Sequence, residues 1–377
     1  MKVMVIESGA SSSTGGAERS MRSFCEHLAE SHELYLAYSQ IGDYVTDPRL
    51  SRIYQSTQAF RFDHPMLSTS IGWLKDLFGL VRLVRLHKIE RIVTHVIHVT
   101  PLLRLVQKLT GCPYSVYYKW VCTNSSVGAK VSWGNRRISQ AASVSRYVAG
   151  YWESNGVDAG SIQVVPEGVI HQACRTHTYD CENFCVGFAG RIVPEKGLDN
   201  LLVALKTLRD RDQPVNLRIA GTFHGQESDS PVPYHVNVED LIRDLGISDL
   251  VQFDGYVCLE DWFQKIDLVV VPSTCHDAQP LVMMQAIATG TPTIGTKMGG
   301  IPEVLSGRFS DLLFASEDPN AAADLICDIK GDCESLPKLG RDLHEHAHAN
   351  YSIERHFTDL KHALGIAQRN HHDREAL

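Results

Sequence analysis

Two cations five residues apart, Arg191 and Lys196, follow an apolar run that stops at Gly190. The run Val186 to Ala189 reads as a strand, and residues 198–205 read as an amphipathic helix entered through Gly197. That order sets both cations at the carboxyl end of a strand, the edge where open α/β sheets bind ligands. An arginine that can grip bidentately and a lysine acting as a point charge suit a diphosphate. A second cluster runs from Val271 through Asp277 and Pro280 to Gln285. Here a strand ends at Pro272, and a helix begins after Pro280, where proline fits the first turn. The N–H groups of Leu281 and Val282 then point at a phosphate. Asp277 and Gln285 add a carboxylate and, after seven intervening residues, an amide. A third segment, Ser11 to Arg19, links the first strand to the first helix, and its Gly15 and Gly16 allow close approach of a ligand. Its spacing matches neither the dinucleotide fingerprint nor the P-loop.

These clusters need parallel sheets to hold them, and strands and helices alternate along the whole chain. In the first half, strands are expected at 2–7, 34–38, 91–99, 114–120, 141–144 and 162–165. Helices are expected at 17–29, 71–88, 102–109 and up to about residue 154. Met21, Phe24, Cys25 and Leu28 mark the buried face of the first helix. Residues 168–182 are polar and aperiodic, which reads as an interdomain linker. The second half gives strands at 184–189, 215–220, 250–253, 267–271 and 292–295. Its helices are expected at 198–209, 238–245, 260–264, 281–289, 318–329 and 353–368.

The 377 residues suffice for two ordinary domains. The composition, 44% hydrophobic and 21% charged, is that of a globular protein. A net charge of -8 argues against nucleic acid as a partner. The apolar start of the chain is too short for a signal peptide, and no run is long enough to span a bilayer, so a cytoplasmic protein is expected. Ten scattered cysteines without a Cys-x-x-Cys pair read as buried or free thiols. His344, His346 and His348 read as solvated surface histidines and not as metal ligands, since no carboxylate or thiol shares a clear spacing with them. Residues 73–88 are apolar with Lys75, Arg82 and Arg85 on one side. The favoured reading is a helix packed on the first sheet; the alternative is a basic amphipathic helix in peripheral contact with anionic lipid at the inner membrane face.

Taken together, Phe188-Ala-Gly-Arg-Ile-Val-Pro-Glu-Lys-Gly197 and the cluster around Asp277 resemble the C-terminal domain of retaining GT-B glycosyltransferases of the large family 4 type. The resemblance is strongest over 184–304 and weakest over 40–160. It implies an α/β GT-B fold, two Rossmann-like parallel-sheet domains facing across a cleft. The implied division is an acceptor-side domain over 1–168, a nucleotide-sugar domain over 183–352, and a helix over 353–377 crossing back to the first domain. It implies a donor site of Gly15, Gly16, Arg191, Lys196, Leu281 and Val282, joined by Tyr256 and Val257 of a Phe-x-Gly-x-Val loop whose backbone reads the nucleobase. In the family, carboxylates at the positions of Asp277 and Gln285 hold sugar hydroxyls and the ribose respectively. Gln285 departs from that pattern by losing the charge, and Asp277 by its shorter reach. Lys119 stands where the family commonly has a histidine, and is the second catalytic candidate after Asp277; His95 and His98 are the nearest alternatives, read on opposite faces of one strand. The implied reaction moves a sugar from a nucleotide diphosphate sugar to a glycan, lipid-linked or small-molecule acceptor. It proceeds by front-face attack, without a protein nucleophile, cofactor or metal. A non-catalytic GT-B partner protein with a degenerate donor site, and an epimerase or phosphorylase on the same fold, are the alternatives.

Overall fold

The structure is a computed structural model. It describes residues 1–7, 16–39, 50–60, 62, 70–121, 133–135, 138, 140–170, 172–176, 179–223, 234–316 and 318–366. The chain divides into two compact units: Met1–Glu167 with Glu354–Leu377, and Gly168–Ile353.

The first unit is built from β1 (Lys2–Glu7), α1 (Gly16–Ala29), β2 (Glu33–Ser39), α2 (Leu50–Ile53), β3 (Tyr54–Phe60), α3 (Ser70–His87), β4 (Arg91–Thr94) and α4 (Thr100–Thr110). It continues with β5 (Tyr114–Tyr118), β6 (Ala141–Ser143), α5 (Arg146–Ser154) and β7 (Ile162–Val164). The sheet runs β3-β2-β1-β4-β5-β6-β7 with every pairing parallel. Val3 to Ile6 are wholly buried, as a strand covered on both faces requires. Met21, Phe24, Cys25 and Leu28 of α1 are likewise wholly buried.

The second unit contains β8 (Cys185–Ala189), α6 (Leu198–Asp210), β9 (Asn216–Ala220), α7 (Tyr234–Asp244), β10 (Val251–Gly255), α8 (Leu259–Phe263) and β11 (Leu268–Val271). It goes on with α9 (Leu281–Ala288), β12 (Thr293–Thr296), α10 (Ile301–Val304), β13 (Leu313–Phe314), α11 (Pro319–Gly331) and α12 (Leu336–Asn350). Its sheet runs β10-β9-β8-β11-β12-β13, again all parallel. Strand side chains alternate between two cores. Leu268 and Val270 join α6, α7 and α11, while Val269 and Val271 join α8, α9 and α12. Each fully buried Leu or Val contributes about 1.5–3 kcal/mol, so the two cores fix both layers of helices on the sheet.

Several expectations change. Residues 91–99 are not one strand. Thr94 donates its hydroxyl to Ile6 O at 2.9 Å and accepts from Val96 N at 2.9 Å, which turns the chain out of the sheet. His95 follows that turn, and His98 lies in a single 3₁₀ turn. The segment expected as the interdomain linker starts where the first unit ends, and Arg175 Nη1 in it donates to Phe263 O at 2.9 Å and to Thr291 Oγ1 at 3.2 Å. Cys181 is bonded to Cys333, 152 residues away, and is not the thiol expected. Local spacing carries no record of a pairing made by the fold. The final helix, α13 (Ile353–Ala363), sits on the first unit: Phe357 packs on Phe24 at 6.0 Å between ring centroids, and Ser115 Oγ donates to Leu364 O at 2.8 Å.

Candidate active site

In both sheets the strand order reverses between the first strand and the fourth. Such a switch point opens a crevice at the carboxyl edge. In the second unit it falls between β8 and β11, the strands that precede the two clusters found in the sequence.

The loops after these strands are joined through their backbones. Thr274 N and Cys275 N donate to Glu195 O at 3.0 and 3.3 Å. Gly197 starts α6 with φ of 71°, and a Cβ there would overlap the Pro272 carbonyl, so glycine is what lets the loops touch. With the backbones fixed, Lys196 reaches across and its ammonium pairs with the Asp277 carboxylate. The two side chains are 27% and 13% exposed, so the pair lines a surface accessible to a ligand.

Asp277 is fixed from the other side as well. Its carbonyl accepts from Gly300 N at 2.7 Å. Gly299 has φ of 56°, and a Cβ on it would overlap the Asp277 backbone. This glycine pair was missed in the sequence; its signal was two adjacent glycines after a strand and before Pro302 at a helix start.

Pro280 precedes α9 in extended conformation and offers no side-chain cap. Met283 N and Met284 N turn back to Pro280 O at 3.1 and 3.3 Å. The amides ahead of them have no intrahelical acceptor, so those of Leu281 and Val282 are the donors this end presents. Their side chains are half-buried against the core, while Gln285 is exposed one turn further on. Arg191 is exposed on the β8 loop.

The β10 loop is anchored from beneath. Arg218 grips Asp254 bidentately at 2.9 and 2.8 Å, and Trp262 Nε1 donates to the same carboxylate at 2.7 Å. Burial raises the Asp254 carboxyl, but Arg218 and Trp262 outweigh it and hold the group below its ordinary value. On this support Tyr256 stands 83% exposed, and Val257 is half-buried.

In the first unit, Gly16 opens α1, while Gly15 and the rest of its loop lie outside the described residues. Lys119 is buried. Its ammonium lies 3.0 Å from a Glu167 oxygen and donates to Ser20 Oγ at 2.9 Å. Ser20 also donates to Glu167, and His356 Nε2 lies 3.7 Å from it. Burial raises the Glu167 carboxyl, but Lys119 and His356 overcome that and keep it below its ordinary value. Beside this cluster His95 is wholly buried, 3.5 Å from Glu7. Burial drives its imidazole down to about 3, so it meets Glu7 as a neutral ring and not as an ion pair.

Other chemistry-bearing residues take structural places. His344 bonds the Ala288 carbonyl at 2.8 Å and His346 that of Val304 at 3.0 Å, so these rings tie α12 to α9 and α10 instead of standing in solvent. An Asp-x-Asp triplet, Asp210-Arg211-Asp212, ends α6 far from its ligand-edge start; there Asp210 pairs with Lys206 and Arg211 with Asp324. Among the described residues, no group of three or more His, Cys, Asp or Glu is arranged to hold a metal.

Two tandem parallel sheets of this order define the GT-B architecture, and solved structures bear this out. The chain superposes on Anabaena HepE, solved in complex with UDP, with a TM-score of 0.82 at 18% identity, covering 97% of this chain and 100% of that one. It superposes on sucrose-phosphate synthase from Thermosynechococcus elongatus with a TM-score of 0.78 at 17% identity, covering 96% and 97%. More specifically, residues 183–332 match the model of the family described as glycosyl transferases group 1. The D-inositol 3-phosphate glycosyltransferase of Streptomyces griseus is 33% identical over 163 residues, 42% of this chain and 34% of the relative. That of Corynebacterium urealyticum is 33% identical over 177 residues, 45% and 40% of the two chains. The match thus spans well under half the length of these curated relatives.

Proposed function

We propose that the chain is a retaining glycosyltransferase that transfers a sugar from a nucleotide diphosphate sugar, with UDP the first nucleotide to try. The observation that carries this reading is the meeting of Lys196 and Asp277 at the switch point of the second sheet, beside the uncapped start of α9. A group 1 domain over 183–332 supports it, as do structural neighbours solved with UDP and with UDP-glucose.

In this reading the acceptor hydroxyl attacks the anomeric carbon from the face the diphosphate leaves. The bond from that carbon to the phosphate oxygen breaks, and the acceptor proton passes to the departing phosphate. The product is a nucleoside diphosphate, and the anomeric configuration is retained. Negative charge grows on the leaving group. Arg191, Lys196 and the Leu281 and Val282 amides stabilise it from fixed positions, which is where preorganised dipoles are most effective. This positive charge makes the reaction metal-independent. Asp277 holds sugar hydroxyls, Gln285 accepts one ribose hydroxyl, and the Tyr256–Val257 backbone meets the base. Gly15 and Gly16 also bind the donor. Lys119 is committed to Glu167 and Ser20, so its part is to position the start of α1 and not to touch the reacting atoms. The acceptor class is a glycan, lipid-linked or small molecule, and the compartment is the cytoplasm.

Incubating the chain with UDP-, GDP- and ADP-sugars and measuring nucleotide release with and without acceptor mixtures tests the reading. Release with at least one donor, increased by an acceptor, is expected. Release from none overturns catalysis in favour of a binding protein on this fold.

A further inference from the structure

We propose that the outer face of α3, together with the end of α4, docks on an anionic lipid bilayer. The inference is independent of the donor site. The inner side of α3 packs as a sheet-covering helix should: Leu77, Leu80, Val81, Leu83 and Val84 are all buried. The outer side does not become polar. Leu74, Phe78 and Leu86 stand 45%, 65% and 64% exposed, and Lys75, Arg82 and Arg85 are exposed among them. At roughly 100° per residue, these six positions fall within an arc of about 120°. Arg85 donates to Leu109 O at 3.0 Å, which brings the exposed Leu109 at the end of α4, beside exposed Lys108, against the same face. Asp76, the acidic residue of α3, is buried on the inner side.

That the described residues of this face carry cations only is notable in a chain of net charge -8. The rest of the molecule is repelled by an anionic surface while this face is drawn to it, which fixes the orientation of approach. Apolar tips interleaved with long cationic side chains fit the boundary between headgroups and acyl chains, where lysine and arginine keep their charge in water and bury their stems. The same charge argues against a second copy of this chain as the occupant. A two-fold contact would set Lys75, Arg82 and Arg85 against their own images.

The test is co-sedimentation of the full chain with vesicles of phosphatidylcholine alone and of phosphatidylcholine mixed with phosphatidylglycerol, at low and high salt. Binding only to the anionic vesicles, and release by salt, is expected. Each cation near such a surface is worth about fivefold in affinity, so R82S/R85S should bind about 25-fold more weakly. Phe78→Ser should also weaken binding but leave the salt dependence in place. Unchanged circular dichroism in both variants establishes that the fold is intact. The proposal is overturned by equal binding to neutral vesicles, by no binding, by variants that bind like the parent, or by a dimer that Phe78→Ser dissolves.

Discussion

Asp277 and Lys196 form an ion pair that does little for stability. Pairs this accessible contribute about 0–1 kcal/mol, whereas the loops that carry them are already joined by backbone bonds through Glu195 O. The charges are therefore better explained by what they bind. If Lys196 takes the diphosphate and Asp277 the sugar, the two should separate in mutants. Asp277→Asn removes a charge-assisted acceptor worth about 1.5–3 kcal/mol. Transfer should fall by about tenfold or more, while affinity for the free nucleotide diphosphate changes far less. Steady-state kinetics beside calorimetry reads both quantities. A parallel fall would assign Asp277 to the nucleotide instead.

At the scale of elements, what was legible followed from burial. Strands covered on both faces, such as β1 and β11, are continuous apolar runs, and both were read within a residue of their ends. The two loops that meet at the second switch point were legible because proline, glycine and charge sit at fixed offsets. β3 was not, since Tyr54 to Phe60 form an edge strand whose middle is polar and exposed. α12 was missed for a related reason. Only Leu336, Gly340, Leu343 and Ala347 of its residues are buried, and its histidines find carbonyl partners that only the fold supplies. The Cys181–Cys333 bond belongs to the same class of long-range facts. It closes a 152-residue loop between the segment after the first unit and the start of α12. Such a link typically adds about 2–4 kcal/mol. Cys181→Ser, or reductant added to the wild type, should lower unfolding stability by that amount, and denaturant titration measures it. No change would mean that the cysteines are thiols in the working protein, as a reducing compartment would keep them.

The polar cluster at the carboxyl edge of the first sheet makes a second prediction at this scale. His95 has its folded value lowered to about 3, far below that of an unfolded histidine. Between those two values the unfolded chain binds the extra proton. Its contribution to stability is therefore full above the unfolded value and is lost as pH falls through the window below it. One such group gives a slope of at most about 1.4 kcal/mol per pH unit. His356 is lowered by burial as well, and adds in the same direction. Unfolding free energies at pH 7 and pH 5 should therefore show a loss in the wild type that is smaller in His95→Asn. An equal loss in both would show that His95 is not the group responsible.

On the scale of the whole molecule, two units of the same sheet order carry unlike burdens. The first commits its candidate charges, Lys119 and Glu167, to one another; the second leaves Arg191, Lys196 and a helix start accessible at its switch point. We therefore assign nucleotide recognition to the second unit, and the acceptor and, through α3, a lipid surface to the first. In this assignment the Lys196 ammonium binds the donor diphosphate. The direct measurement is calorimetric titration of UDP, GDP and ADP into the wild type and Lys196→Ala. At least one diphosphate should bind the wild type, and the variant should bind it about tenfold or more weakly, for the loss of about 1.5–3 kcal/mol, with thermal stability unchanged. Equal affinities of the two proteins for every nucleotide diphosphate would show that Lys196 does not bind the diphosphate.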